Sequence, residues 1–201
     1  MLTVTDYRTT MRSVLAATVD AGTWTDALLD AGLRLALHYL GENGPPAETT
    51  LVCTEGREQD ISGVAGLLGV AAVGWPWDDT AAIFRYGRWR WAAPGVIHLE
   101  SGVPAAGDRL RLRYWPALTI SGLSGATATT VPDALLTPVA TGAAGYALLQ
   151  RLRQVGEHPA PPKATGALYT QIAGEWVSVL AAAAHRWANA VPGPAWGAMG
   201  L

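Results

Sequence analysis

Asp78-Asp79, following Trp75-Pro76-Trp77, is the nearest this chain comes to a paired-carboxylate motif for acid–base work. Neighbouring residues in a turn point apart, however, and a working pair must converge on one bond. The four histidines sit in unrelated contexts: His38 and His185 in helical stretches, His98 in a strand, His158 before a proline. None is read as part of a metal-ligand set. A phosphate-cradling glycine loop, G-x-S-x-G and H-E-x-x-H are all missing from the sequence. The chain is therefore read as a non-enzyme, with no catalytic, cofactor-binding or metal-binding residue and no cofactor.

Arginine and tryptophan carry the remaining chemistry. Arg85, Arg88, Arg90, Arg109, Arg111 and Arg113 fall between residues 85 and 113 against only Glu100 and Asp108, whereas residues 1–84 hold eleven acids and four bases. Such a bipolar chain can attract its own copies head to tail, so the arginines are candidates for an inter-subunit or channel surface. From charge alone the simpler reading is that they solvate one face of an antiparallel sheet. Arg88-Trp89-Arg90-Trp91 alternates, which puts both rings on one face and suggests core aromatics there. Trp75 and Trp77 flank a proline at a strand end and, with Asp78 and Asp79, are candidate rim contacts.

The elements that must position these residues divide the chain. Thr3 and Asp6 have capping-box spacing, and Tyr7, Met11, Val14 and Leu15 mark one face of a first helix over 6–20, ended by Gly22. Thr23 and Asp26 start a second, whose Leu28, Leu29, Leu33, Leu37 and Leu40 form a stripe that stops at Gly41. So short a connection predicts an antiparallel pair. Strands are expected at 49–54, 64–75, 83–86, 88–91, 96–100 and 109–115, separated by Gly87, Pro94-Gly95 and residues 104–108. In the last strand Leu110, Leu112 and Tyr114 alternate with Arg109, Arg111 and Arg113. Closely spaced short strands imply an antiparallel meander in a small sandwich or barrel. Residues 120–131 lead back to a third helix from Pro132 or Pro138 to about Val155. A fourth carries Leu168, Ile172, Trp176 and Leu180 and ends near Asn189. The fold class is α+β: a four-helix bundle domain (1–46 plus 119–190), an inserted antiparallel β-sandwich or barrel-like module (47–118), and a C-terminal tail (191–201).

Half of the residues are hydrophobic and 15% charged, which excludes a disordered chain. Cys53 is the single cysteine, so no intrachain disulfide forms, as suits a reducing compartment. No basic stretch precedes an apolar core at the N-terminus, so no secretory signal is expected. The apolar run Val64 to Trp77 is interrupted by three glycines and a proline and is too short to span a bilayer, so no membrane partner is expected.

The order of Arg57-Glu58-Gln59-Asp60-Ile61-Ser62, Gly74-Trp75-Pro76, the strand Gly107-Asp108-Arg109-Leu110-Arg111-Leu112-Arg113-Tyr114, Thr129-Thr130-Val131-Pro132 and Gly142-Ala143-Ala144-Gly145-Tyr146-Ala147 resembles the head-to-tail connector (adaptor, head-completion) proteins of long-tailed bacteriophages. The Asp6-Tyr7-Arg8 and Thr25-Asp26-Ala27-Leu28-Leu29 helix starts are similar too, and the resemblance covers roughly residues 5 to 190. Many members of that group are plain helical bundles, so the β insertion departs from them. The resemblance implies a virion protein of the neck, present in host cytoplasm before assembly. It implies a homo-oligomeric ring, typically of twelve copies, docked under the portal protein and meeting the tail or next neck protein. DNA would pass through its channel without sequence specificity. The tail residues Pro192, Pro194, Trp196, Met199 and Leu201 are apolar groups that an unattached end would not need, and the resemblance makes the portal their partner.

Two other classes compete. A carbohydrate- or receptor-binding β module on a helical stalk would expose tryptophans beside carboxylates. A nucleic-acid-binding protein would use the cluster from Arg85 to Arg113, although a pI near 6.1 and a single lysine count against it.

Overall fold

The computed structural model describes residues 2–16, 24–77, 86–156 and 163–190, with the backbone alone for 154–156 and 163–165. Among the described residues the architecture is mixed α+β, with four α-helices and two three-stranded antiparallel sheets. The chain forms two compact units, one from Met1–Asn43 with Leu118–Trp187 and one from Gly44–Ala117, to which the end of α4 from Ala188 also belongs.

In the helical unit, α1 (Val4–Ala16) begins two residues before the expected Asp6, because Thr3 caps it directly. The Thr3 amide and hydroxyl donate to the Asp6 carboxylate at 2.7 and 2.9 Å, which holds that carboxyl below the usual range. Helix α2 (Asp26–Asn43) starts two residues later than expected, with Thr25 as its cap: the Leu28 amide donates to the Thr25 hydroxyl. Nor does α2 stop at Gly41, which is buried within the helix. Arg8 grips both oxygens of Asp30 at 2.8 and 2.7 Å and also reaches Asp26, while Arg12 pairs with Asp26. Moving forward along α1 thus means moving backward along α2, so the two run antiparallel. A 3₁₀ turn, Asp133–Leu135, precedes α3 (Leu136–Gly156), and α4 spans Lys163–Ala190.

The core of this unit is centred on α3. Its Val139, Ala140, Ala143, Ala144, Ala147 and Leu148 are buried against Tyr7, Met11 and Leu15 of α1 and the leucine stripe of α2, joined by Ala173, Leu180 and Ala184 of α4. Small residues let the backbones approach closely. A Cβ at Gly32 would collide with the Ala143 carbonyl, and one at Gly142 would lie 2.5 Å from Leu180 Cβ. The stretch 120–131, read as a linker, supplies Ile120, Leu123 and Val131 to the same core, and Ser121 bridges to Thr3. Tyr7 is fully buried, and its hydroxyl has no hydrogen-bond partner among the described residues. Burial, with Asp133 and Asp6 nearby, pushes that phenol up to about 12. An unsatisfied buried hydroxyl costs about 1–3 kcal/mol. Tyr7→Phe should therefore leave the thermal midpoint unchanged or raise it by a few degrees, read by circular dichroism.

The second unit holds β1 (Ala47–Val52), β2 (Glu58–Asp60), β3 (Leu67–Gly74), β4 (Trp89–Ala93), β5 (Val96–Leu99) and β6 (Arg109–Pro116). Of the expected strand at 83–86, Tyr86 alone is described, bridged to Gly74. The expected meander does not form. The orders are β1-β6-β3 and β2-β5-β4, so β6, last in the chain, runs between β1 and β3. A central place suits a strand whose two faces both find partners: Leu110 and Leu112 enter a core with Ile61, Val70, Val73, Ile97 and Leu99, while the arginine face meets β1. Strand β2 had no periodic apolar signal. It is anchored by Gln59, 4% exposed, whose side chain accepts from the Thr54 amide and donates to the Thr54 and Gly56 carbonyls. Trp89 packs partly on this core, but Trp91, expected to be buried, is 46% exposed, because β4 is the edge of its sheet among the described residues.

Candidate functional site

The alternation of β6 places Arg109, Arg111 and Arg113 on one face, and the antiparallel register sets Val52, Thr50 and Glu48 of β1 opposite them in turn. Glu48 is the acid this face converges on. One carboxylate oxygen accepts from Arg113 Nε at 2.6 Å and the other from Arg111 at 2.8 and 3.1 Å, while Arg111 also donates to the Thr50 hydroxyl at 3.1 Å. The Arg111 guanidinium lies 5.1 Å from the centre of the Trp77 ring. Burial alone would push the Glu48 carboxyl up, but the hydrogen bonds and charges of the two arginines outweigh it and hold it below the usual glutamate range. A depressed carboxyl stabilises the fold fully above the unfolded-state value near 4.3. That contribution is lost as pH falls through the folded-state value. Stability of the wild-type chain should drop more steeply below about pH 4.3 than that of Glu48→Gln, measured by urea unfolding across the acid range.

The described arginines of residues 86–113 differ in exposure and in partner. Arg113 is 5% exposed and held by Glu48, and Arg111 is part-buried and shares the same acid. Arg90 lies on β4 of the other sheet and pairs loosely with Glu100 at 3.7 Å. Arg88, Arg90 and Arg109 are exposed, and Arg85 lies outside the described residues. Asp78, Asp79 and the tail residues Pro192, Pro194, Trp196, Met199 and Leu201 lie outside them as well, as does His158. Trp75, read as a rim contact, packs partly on the β core, its ring tight against Gly102, and Trp77 is half-buried beside Arg111.

Two residues on from Arg113, and two back from Glu48, the same sheet face carries Trp115 and Pro46. With Ala71, Ala72 and Val73 of β3, and Tyr86, Gly87 and Trp89, they line an open groove of about 390 Å³. Ala72 stands opposite Arg113 in the register, so the small side chains of β3 leave the floor low. Trp115 lies close over Gly69, and Tyr86 is 46% exposed at the wall. Sequence reasoning missed Glu48, Tyr86 and Trp115. The lone acid of the β1 stretch, placed to face an alternating arginine strand, was the signal for the first; nothing in the sequence linked the other two.

Among the described residues no cluster of histidine, cysteine and carboxylate side chains is placed to hold a metal ion, and no helix is long and apolar enough to cross a membrane. His38 pairs with Glu42 one turn on at 3.5 Å, both well exposed, an i,i+4 pair that the sequence reading passed over. Cys53 is buried, and burial together with Asp108 pushes its thiol up to about 11, away from reactivity. No known protein family matches the chain, and no curated protein matches it. Among solved structures, the chain is similar to one described as the neck of an empty GTA particle computed with C6 symmetry, at 20% identity and a TM-score of 0.28, over 85% of this chain and 88% of that one.

Proposed function

We propose that this protein is a structural part of a phage-type virion neck, an adaptor that assembles as a ring, docks under the portal and joins capsid to tail, with no enzymatic activity. The observation that carries the reading is the outer face of α4. In the 21 residues from Ala164 to Ala184 one side chain, Glu175, is charged, and Leu168 and Val179 stand 53% and 42% exposed. A helix face meant for water would carry several charges. Coverage by a second copy accounts for their absence, and the resemblance of the motif order to connector proteins supplies the kind of assembly. Arg88, Arg90 and Arg109 are exposed and belong to this proposal as basic groups facing a neighbouring acidic surface or the DNA in the lumen. Twelve copies, a portal partner above and a tail or neck protein below belong to this proposal.

Electron microscopy and native mass measurement of the purified chain test it. Closed rings that Val179→Asp converts to folded monomers are the expected result. Monomers of wild-type protein at all concentrations, with no incorporation into particles, would overturn it.

A further inference from the structure

The groove on the β unit is lined by three aromatic rings, by the small side chains of Ala71 and Ala72 next to Val73, and by a charged side chain, Arg113, already engaged by Glu48. The lining is mostly apolar, with alanine, valine, proline and aromatic side chains beside the one arginine. Aromatic-walled, shallow grooves suit extended proline-containing peptide, whose backbone is stiff before binding and loses little entropy on it. The chain carries such a peptide. Val191-Pro-Gly-Pro-Ala-Trp-Gly-Ala-Met-Gly-Leu201 has no charged side chain, and it follows directly on α4, whose end from Ala188 belongs to the β unit. Eleven residues can reach up to about 35 Å when extended. We propose that the groove of Tyr86, Trp89 and Trp115 is the docking site of the segment 191–201 of this chain, with Pro192, Pro194 and Trp196 against the rings. This goes beyond the neck reading and does not depend on it. It also gives the segment a seat on this protein itself, in place of the portal that the family resemblance suggests.

The test uses the full-length chain with photoreactive benzoylphenylalanine at position 196. Cross-links mapped by mass spectrometry should fall on peptides containing 71–73, 86–89 or 113–115. A cross-linked monomer would mean that the segment seats on its own chain, and a cross-linked dimer that it seats on a neighbour; either supports the proposal. Ala71→Arg, which fills the groove, and Tyr86→Ala, which removes an exposed wall, should each cut the yield at least fivefold with the circular dichroism spectrum unchanged. Cross-links elsewhere, cross-links only to added portal-bearing capsids, no cross-links, or a yield indifferent to both variants would overturn it.

Discussion

Glu48→Ala should destabilise the β unit by about 3 kcal/mol, the usual cost of taking the partner from a buried charge. The loss comes from Arg113, which is 5% exposed and would keep its charge after Glu48 is gone. A guanidinium cannot shed a proton to escape burial, so the penalty falls on the fold. Glu48→Gln keeps an acceptor in place and should cost less. The double variant Glu48→Leu with Arg113→Met should recover much of the loss, because a buried ion pair and a well-packed apolar pair are often of similar stability. Urea unfolding followed by tryptophan fluorescence would read all three. A Glu48→Ala protein as stable as wild type would mean that the cluster contributes nothing to the sheet.

The second large effect concerns two glycines that a propensity scale treats alike. Gly174 lies on the exposed side of α4 with nothing within 4 Å of a would-be Cβ, so Gly174→Ala should stabilise by about 1 kcal/mol. Gly32→Ala gains the same propensity term but drives a methyl into the Ala143 carbonyl and against Ala147 at 3.1 Å. Backbone of a packed helix cannot swing aside as a side-chain tip does, and overpacking costs about 1–3 kcal/mol or more. The net change at Gly32 should be a loss of about 2 kcal/mol, on the same scale. Opposite signs at the two positions, measured by thermal or chemical unfolding, are the expected result. Equal and favourable shifts would show that α2 and α3 do not pack closely at Gly32.

Local chemistry made some of this molecule legible from sequence and hid the rest. The Tyr7, Met11 and Leu15 spacing marked the buried face of α1, and the Thr3–Asp6 pair marked its start, because helix periodicity and capping are set within a few residues. The Leu110 and Leu112 alternation marked the core face of β6 for the same reason. Strand β2 escaped notice because its three residues carry no apolar pattern and its anchor, Gln59, binds a loop through its side-chain amide.

The sequence by itself also determined that Arg109, Arg111 and Arg113 share a face, since side chains two apart in a strand must point the same way. What that face meets was decided by tertiary pairing alone. Placing β6 between β1 and β3 brought Glu48, more than sixty positions earlier in the chain, opposite Arg113 and turned two apparent surface charges into an internal ion cluster. The same pairing set Pro46 and Trp115 beside Ala72 and opened the groove. Alternation fixes direction along one strand, whereas partnership across strands depends on which long-range register buries the most apolar surface and pairs the most charge, a quantity that no short stretch of sequence contains.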